Sequence, residues 1–102
     1  MLNIKSLGEV IAVREMEFIS NDGNKEKAFL KIGKPFEHSK ELDWCCPYEL
    51  STESDRKLFG MIGIDSLQAL ELTMKTLRVE IEHWEKSKNG RFYFLGEEGA
   101  EV

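Results

Sequence analysis

The sequence predicts an α+β domain, a mostly antiparallel sheet of four to five strands packed against one long helix at about residues 65–89, in the order β-β-β-β-α-β. Three observations carry this reading. Leu67, Leu70, Met74, Leu77, Ile81 and Trp84 recur in alternating steps of three and four, which lays one apolar stripe along a helix. Residues 10–19 (VIAVREMEFI) are rich in β-branched and aromatic side chains and run into Ser-Asn-Asp-Gly-Asn, a dense turn signal. Residues 44–50 (WCCPYEL) alternate Trp44, Cys46, Tyr48 and Leu50 against Cys45, Pro47 and Glu49, as a half-buried strand does.

Taken in order, residues 10–19 and 27–32 form a hairpin, with Ala28, Leu30 and Ile32 on one face of the second arm and Lys27, Phe29 and Lys31 on the other. Gly33 and Pro35 end that arm, and the polar residues 36–43 read as a loop. Pro47 lacks a backbone donor, so the strand at 44–50 is expected at a sheet edge or to carry a bulge. Residues 56–62 supply a fourth strand, with Gly60 suggesting another bulge. Asp65 is the expected N-cap with Gln68 at N3, while Asn89 and Gly90 stop the helix. At about 1.5 Å per residue such a helix is roughly 36 Å long, so its end near Trp84 is expected to overhang the sheet, where it either seats Phe92 and Phe94 of a fifth strand at 91–95 or meets another chain. Residues 96–102 read as an acidic tail that frays. One core fits a single domain, 1–102.

Two resemblances rest on named residues. Gly63-Ile64-Asp65-Ser66-Leu67 resembles the phosphopantetheine attachment site of acyl carrier proteins, which implies an exposed, modified Ser66 at a helix N-terminus. Carrier proteins are helical bundles, whereas strands flank this motif, and Asp and Ser are also the ordinary capping residues. More broadly, Ile11-Ala12-Val13-Arg14-Glu15, Trp44 with Cys46-Pro47-Tyr48, and Gly63-Ile64-Asp65-Ser66-Leu67-Gln68-Ala69-Leu70 look like an uncharacterised bacterial family of small α+β domains. That resemblance implies the fold and a bacterial cytosolic setting, and assigns no catalytic residue.

The net charge of −5 is concentrated between residues 37 and 55, where six acids face one base, Lys40. Phosphate binding needs a basic patch, which the remaining, nearly balanced segments do not provide, so nucleic acid is not the expected partner. No stretch of 18 apolar residues suits a membrane span, and the first eight residues lack a signal-peptide pattern, so the expected location is cytoplasmic. The adjacent Cys45 and Cys46 point to opposite faces, with Cys46 buried and Cys45 partly exposed. Adjacent cysteines with His38 and His83 do not give the paired spacing of a structural zinc site, and the acidic surroundings disfavour a thiolate nucleophile. No catalytic residue, metal or cofactor is therefore expected.

What remains is a non-enzymatic protein-interaction domain of the immunity or antitoxin type, expected to bind a basic partner such as a toxin through Glu37, Glu41, Asp43, Trp44, Tyr48, Glu49, Glu53 and Asp55. The alternatives are a small-molecule or carrier protein using Ser66 or a pocket between helix and sheet, and a structural homo-oligomer joined through Trp84 and the aromatic strand.

Overall fold

The computed structural model describes residues 2–39 and 43–102. Its elements are β1 (Leu2–Asn3), β2 (Val10–Ser20), β3 (Lys25–Gly33), β4 (Phe36–Ser39), β5 (Asp43–Thr52), β6 (Arg56–Gly63), α1 (Ser66–Ser87), β7 (Gly90–Phe94) and β8 (Glu97–Glu98). The strands form one antiparallel sheet in the order β1-β6-β5-β3-β2-β7-β8, with β4 pairing separately with β5. The α+β class and the helix-on-sheet packing are as expected, but the sheet has more strands than four to five. The extra ones are β1, β4 and β8, all four residues or shorter, too short to show a period of two in the sequence.

The β2–β3 hairpin turns through residues 20–24. Gly23 sits at φ +90, and the Asp22 carboxylate accepts from the Ser20 hydroxyl and the Asn24 amide. Those bonds, the serine's foremost, hold the Asp22 carboxyl below its usual range. The predicted loop at 36–43 is corrected in part: Phe36–Ser39 is a strand and Asp43 opens the next one, while Lys40, Glu41 and Leu42 lie outside the described residues.

Pro47 is not on an edge strand, since β5 has neighbours on both sides. On one side its ladder with β3 ends at Tyr48 and resumes with β4 at Cys45, so the missing donor falls at the changeover. Nor does Gly60 make a bulge, because β5 and β6 keep one register from Trp44 opposite Gly63 to Ser51 opposite Arg56. Glycine is needed there for space: a Cβ at this position would run into the Cys45 sulfur. Cys45 is fully buried rather than partly exposed. Residues 4–9 cross the back of the sheet, with Ile4 beside Gly60, Leu7 against Gly33 and the Glu9 carbonyl accepting from Lys34 N at 2.7 Å. Both faces of β5 are thus covered, which alternation alone does not reveal.

Asp65 caps α1 as expected, its carboxylate accepting from Gln68 N at 2.7 Å, and Gln68 Oε1 accepts from Ile64 N at 2.7 Å. At the other end Asn89 takes the left-handed conformation at φ 53 and Gly90 packs against the Phe18 ring. The face turned to the sheet is Ala69, Thr73, Leu77, Glu80, Ile81 and Trp84. Leu67 and Met74, assigned by periodicity to the buried stripe, are instead 71% and 49% exposed. Small residues explain the rotation: the backbone of Gly63 abuts that of Ala69, and the Thr73 hydroxyl donates to the Cys46 and Ala69 carbonyls, so the first half of the helix lies close to the sheet on its slim side. The core joins that face to Met16, Phe18, Leu30, Tyr48, Leu50 and Phe92. The Trp84 and Phe92 rings meet at a tilt of 54° with centres 6.3 Å apart.

Residues 96–102, expected to fray, are held down. Ala100 is buried, Gly99 N donates to the Phe92 carbonyl at 2.8 Å, and Arg78 Nε donates to the Val102 carbonyl at 3.2 Å.

Candidate interaction surface

The acidic residues read from the sequence do not converge on one patch. Strand β5 is ten residues long and at about 3.3 Å per residue spans roughly 30 Å, which separates Glu37 and Asp43 from Glu53 and Asp55. Glu37 is exposed, Asp43 is half-buried and accepts from the Ser39 hydroxyl, and Glu41 lies outside the described residues. Glu49 is buried against Arg56. Glu53 accepts from the Lys27 amide at 3.1 Å. Asp55 pairs with Lys88 at 2.6 Å, and that hydrogen bond, helped by the Arg56 amide, keeps its carboxyl below the usual range. Tyr48 is in the core and Trp44 packs against it, so neither aromatic presents a free anchor. Burial pushes both Cys45 and Cys46 thiols up, away from nucleophile chemistry. His38 and His83 are exposed on separate elements. Among the described residues no cluster of His, Cys, Asp or Glu is arranged to hold a metal ion, and no helix is long and apolar enough to cross a membrane.

A different surface emerges beside β2. Strand β7 pairs only with residues 17–20, so among the described residues the first part of β2, residues 10–16, has a strand on one side only. Ile11 and Val13 there are 50% and 57% exposed. In line with the vacant side, β7 ends in the turn Leu95–Gly96, where Leu95 is held at φ 54 with its side chain 86% exposed. A left-handed leucine with a solvated side chain is costly on both counts. Arg14 lies over the Phe94 ring at 4.3 Å and donates to the Ala100 carbonyl at 3.0 Å and the Glu101 carbonyl at 2.6 Å, which pins the tail next to this edge. Between helix and sheet at the same place is an open cavity of about 190 Å³ walled by Ala12, Leu30, Ile32, Met74, Leu77 and Val102.

Sequence reasoning placed the apolar run 10–13 on a strand and missed that, among the described residues, no strand pairs along its outer side. The available signal was that Val10, Ile11, Ala12 and Val13 are apolar in succession, where a half-solvated strand would alternate. Among the described residues such a molecule is an antiparallel α+β domain with one helix, in which the central strand β2 is paired along only part of one side. It matches the model of a family described as a domain of unknown function (DUF6968) over residues 12–102, and it belongs to that family. No curated protein and no solved structure matches the chain.

Proposed function

We propose that this is a non-enzymatic protein-interaction domain that binds a basic partner protein through surplus exposed carboxylates, acting in a bacterial cytoplasm as an immunity- or antitoxin-type inhibitor. One observation carries the reading. The bases are largely committed within the chain: six pair with acids, Arg14 and Arg78 hold tail carbonyls, and Lys31 and Lys57 lie over aromatic rings. Glu15, Glu37, Glu82, Glu97 and Glu101 are exposed and stand outside those ion pairs, so the net charge faces solvent as unneutralised carboxylate. Such a surface accelerates encounter with a cationic protein, and salt screens the effect over about 8 to 10 Å. The test is capture of the partner from native-host lysate on immobilised domain, followed by association rates from low to high salt. A basic partner whose on-rate falls steeply with salt is expected; an acidic partner, or a salt-independent rate, overturns the proposal.

A second reading, small-molecule binding, is favoured by the 190 Å³ cavity between helix and sheet. Its size suits a compact apolar ligand rather than a pantetheine-borne chain, and Ser66 is on the helix start, away from its walls. The homo-oligomer reading keeps only Tyr93 and Phe94 of the surface it named, because Trp84 and Phe92 are buried within the chain.

A further inference from the structure

We propose that the vacant side of β2 is a docking edge at which an extended segment of the partner adds a strand in line with β7. This rests on the basic-partner reading above and names the surface and the form of the partner.

The backbone supplies the first requirement. From Ala12 to Met16 the register with β3 runs without interruption, so the outward-facing amides and carbonyls on the other side are regularly spaced for another strand. The bulge between Val10 and Ala12 falls at the far end, and the Leu95–Gly96 turn closes the near end. Natural edges are usually blunted by proline, by lysine or by being very short. Residues 10–16 contain neither proline nor lysine, and the one arginine, Arg14, is drawn aside to the tail carbonyls.

Side chains supply the second. An added strand points alternate residues to opposite faces. On the helix side they meet the apolar cavity between Ala12, Ile32, Met74 and Leu77; on the other they lie beside exposed Val13 and Leu95. In strand addition the main chain contributes affinity and such pockets contribute selectivity. Charge then chooses the occupant: Glu97 and Glu101 line the slot with Phe94, Leu95 and Arg14, whose guanidinium is held by the tail carbonyls, and Glu15 lies beside Leu95 and Gly96; all three glutamates are exposed and outside the ion pairs between described residues. A lysine- or arginine-bearing segment complements them, whereas a second copy of this chain would bring the same carboxylates together.

The experiment titrates ¹⁵N-labelled protein with an end-blocked eight-residue peptide of alternating lysine and valine. Controls are the glutamate–valine peptide and a lysine–valine peptide with two central prolines, which has the same charge but cannot pair. Amide shifts confined to residues 12–16 and 95–96, slowed hydrogen exchange there, and at least tenfold weaker binding of both control peptides and of Val13→Lys support the proposal. Glu37→Lys/Asp43→Lys should change affinity less than twofold. Shifts centred on residues 37–55 and lost in that double variant overturn the edge while leaving the basic-partner reading intact. Equal binding of the proline peptide, or no lysine–valine binding at millimolar concentration, also overturns the edge. Equal binding of the glutamate peptide removes both, and a dimer in sedimentation with residues 12–16 protected assigns the edge to a second copy and overturns the proposal.

Discussion

The Tyr48 hydroxyl on β5 donates a hydrogen bond to the Glu80 carboxylate on α1, inside the interface between helix and sheet. Burial first, and the neighbouring carboxylate second, push the phenol above its ordinary value of 10.0. A buried acceptor that loses its donor costs about 1 to 3 kcal/mol, so Tyr48→Phe should destabilise by that amount in urea unfolding, and Tyr48→Phe/Glu80→Leu should recover part of it. The sign with pH follows from the raised value. Below pH 10 the contribution is fully present; above it the unfolded chain releases a proton that the folded chain retains, and stability falls as pH rises toward the folded value. Wild type should therefore lose stability above pH 10 more steeply than Tyr48→Phe.

The helix face makes a second prediction. Leu77→Ala should cost about 2 to 5 kcal/mol as a buried leucine, whereas Leu67→Ala, on an exposed position, should stay within about 0.5 kcal/mol. Equal losses in urea unfolding would contradict the observed rotation of the helix.

The sequence made the hairpin, the capped helix and the face of β3 legible because each is local: turn residues, a cap and a period of two or 3.6 specify it. It misassigned Leu67 and Met74 because periodicity ranks residues by hydrophobicity, while contact with the sheet was decided by how closely Ala69 and Thr73 let two backbones approach. Cys45 was misjudged for a non-local reason, since residues 4–9 return across the back of β5. The acidic stretch was real as composition, yet extended backbone spread it along both ends of β5, and Glu49 and Asp55 are spent on Arg56 and Lys88. The vacant edge depends on where β7 stops, a non-local fact of which the apolar succession at residues 10–13 is the local trace.

Gly60 and Cys45 offer a third test. Adding a methyl at Gly60 collides with the Cys45 sulfur, and overpacking of this kind typically costs about 1 to 3 kcal/mol. Gly60→Ala should lower the melting temperature, and Gly60→Ala/Cys45→Ala should restore part of the loss. A double variant no better than the sum of the singles would show that backbone conformation, not this contact, selects glycine.

At the helix start, Asp65→Ala removes the acceptor for Gln68 N and should cost about 0.5 to 2 kcal/mol. Ser66→Ala should change neither thermal stability nor partner binding. Loss of binding at Ser66 with unchanged stability would favour the carrier reading.

Arg14 supplies the last test, because one guanidinium holds two tail carbonyls and covers the Phe94 ring at once. Arg14→Ala removes all three contacts and should release residues 99–102: exchange at the Gly99 amide, now bonded to the Phe92 carbonyl, should accelerate by at least tenfold, with about 1 to 3 kcal/mol of stability lost. Arg14→Lys should not restore protection, since an ammonium lacks the planar fork and stacks poorly on an aromatic face. Protection regained with lysine would mean that charge alone fixes the tail, and unchanged exchange in Arg14→Ala would mean that Ala100 burial and the Arg78 bond to Val102 suffice without it.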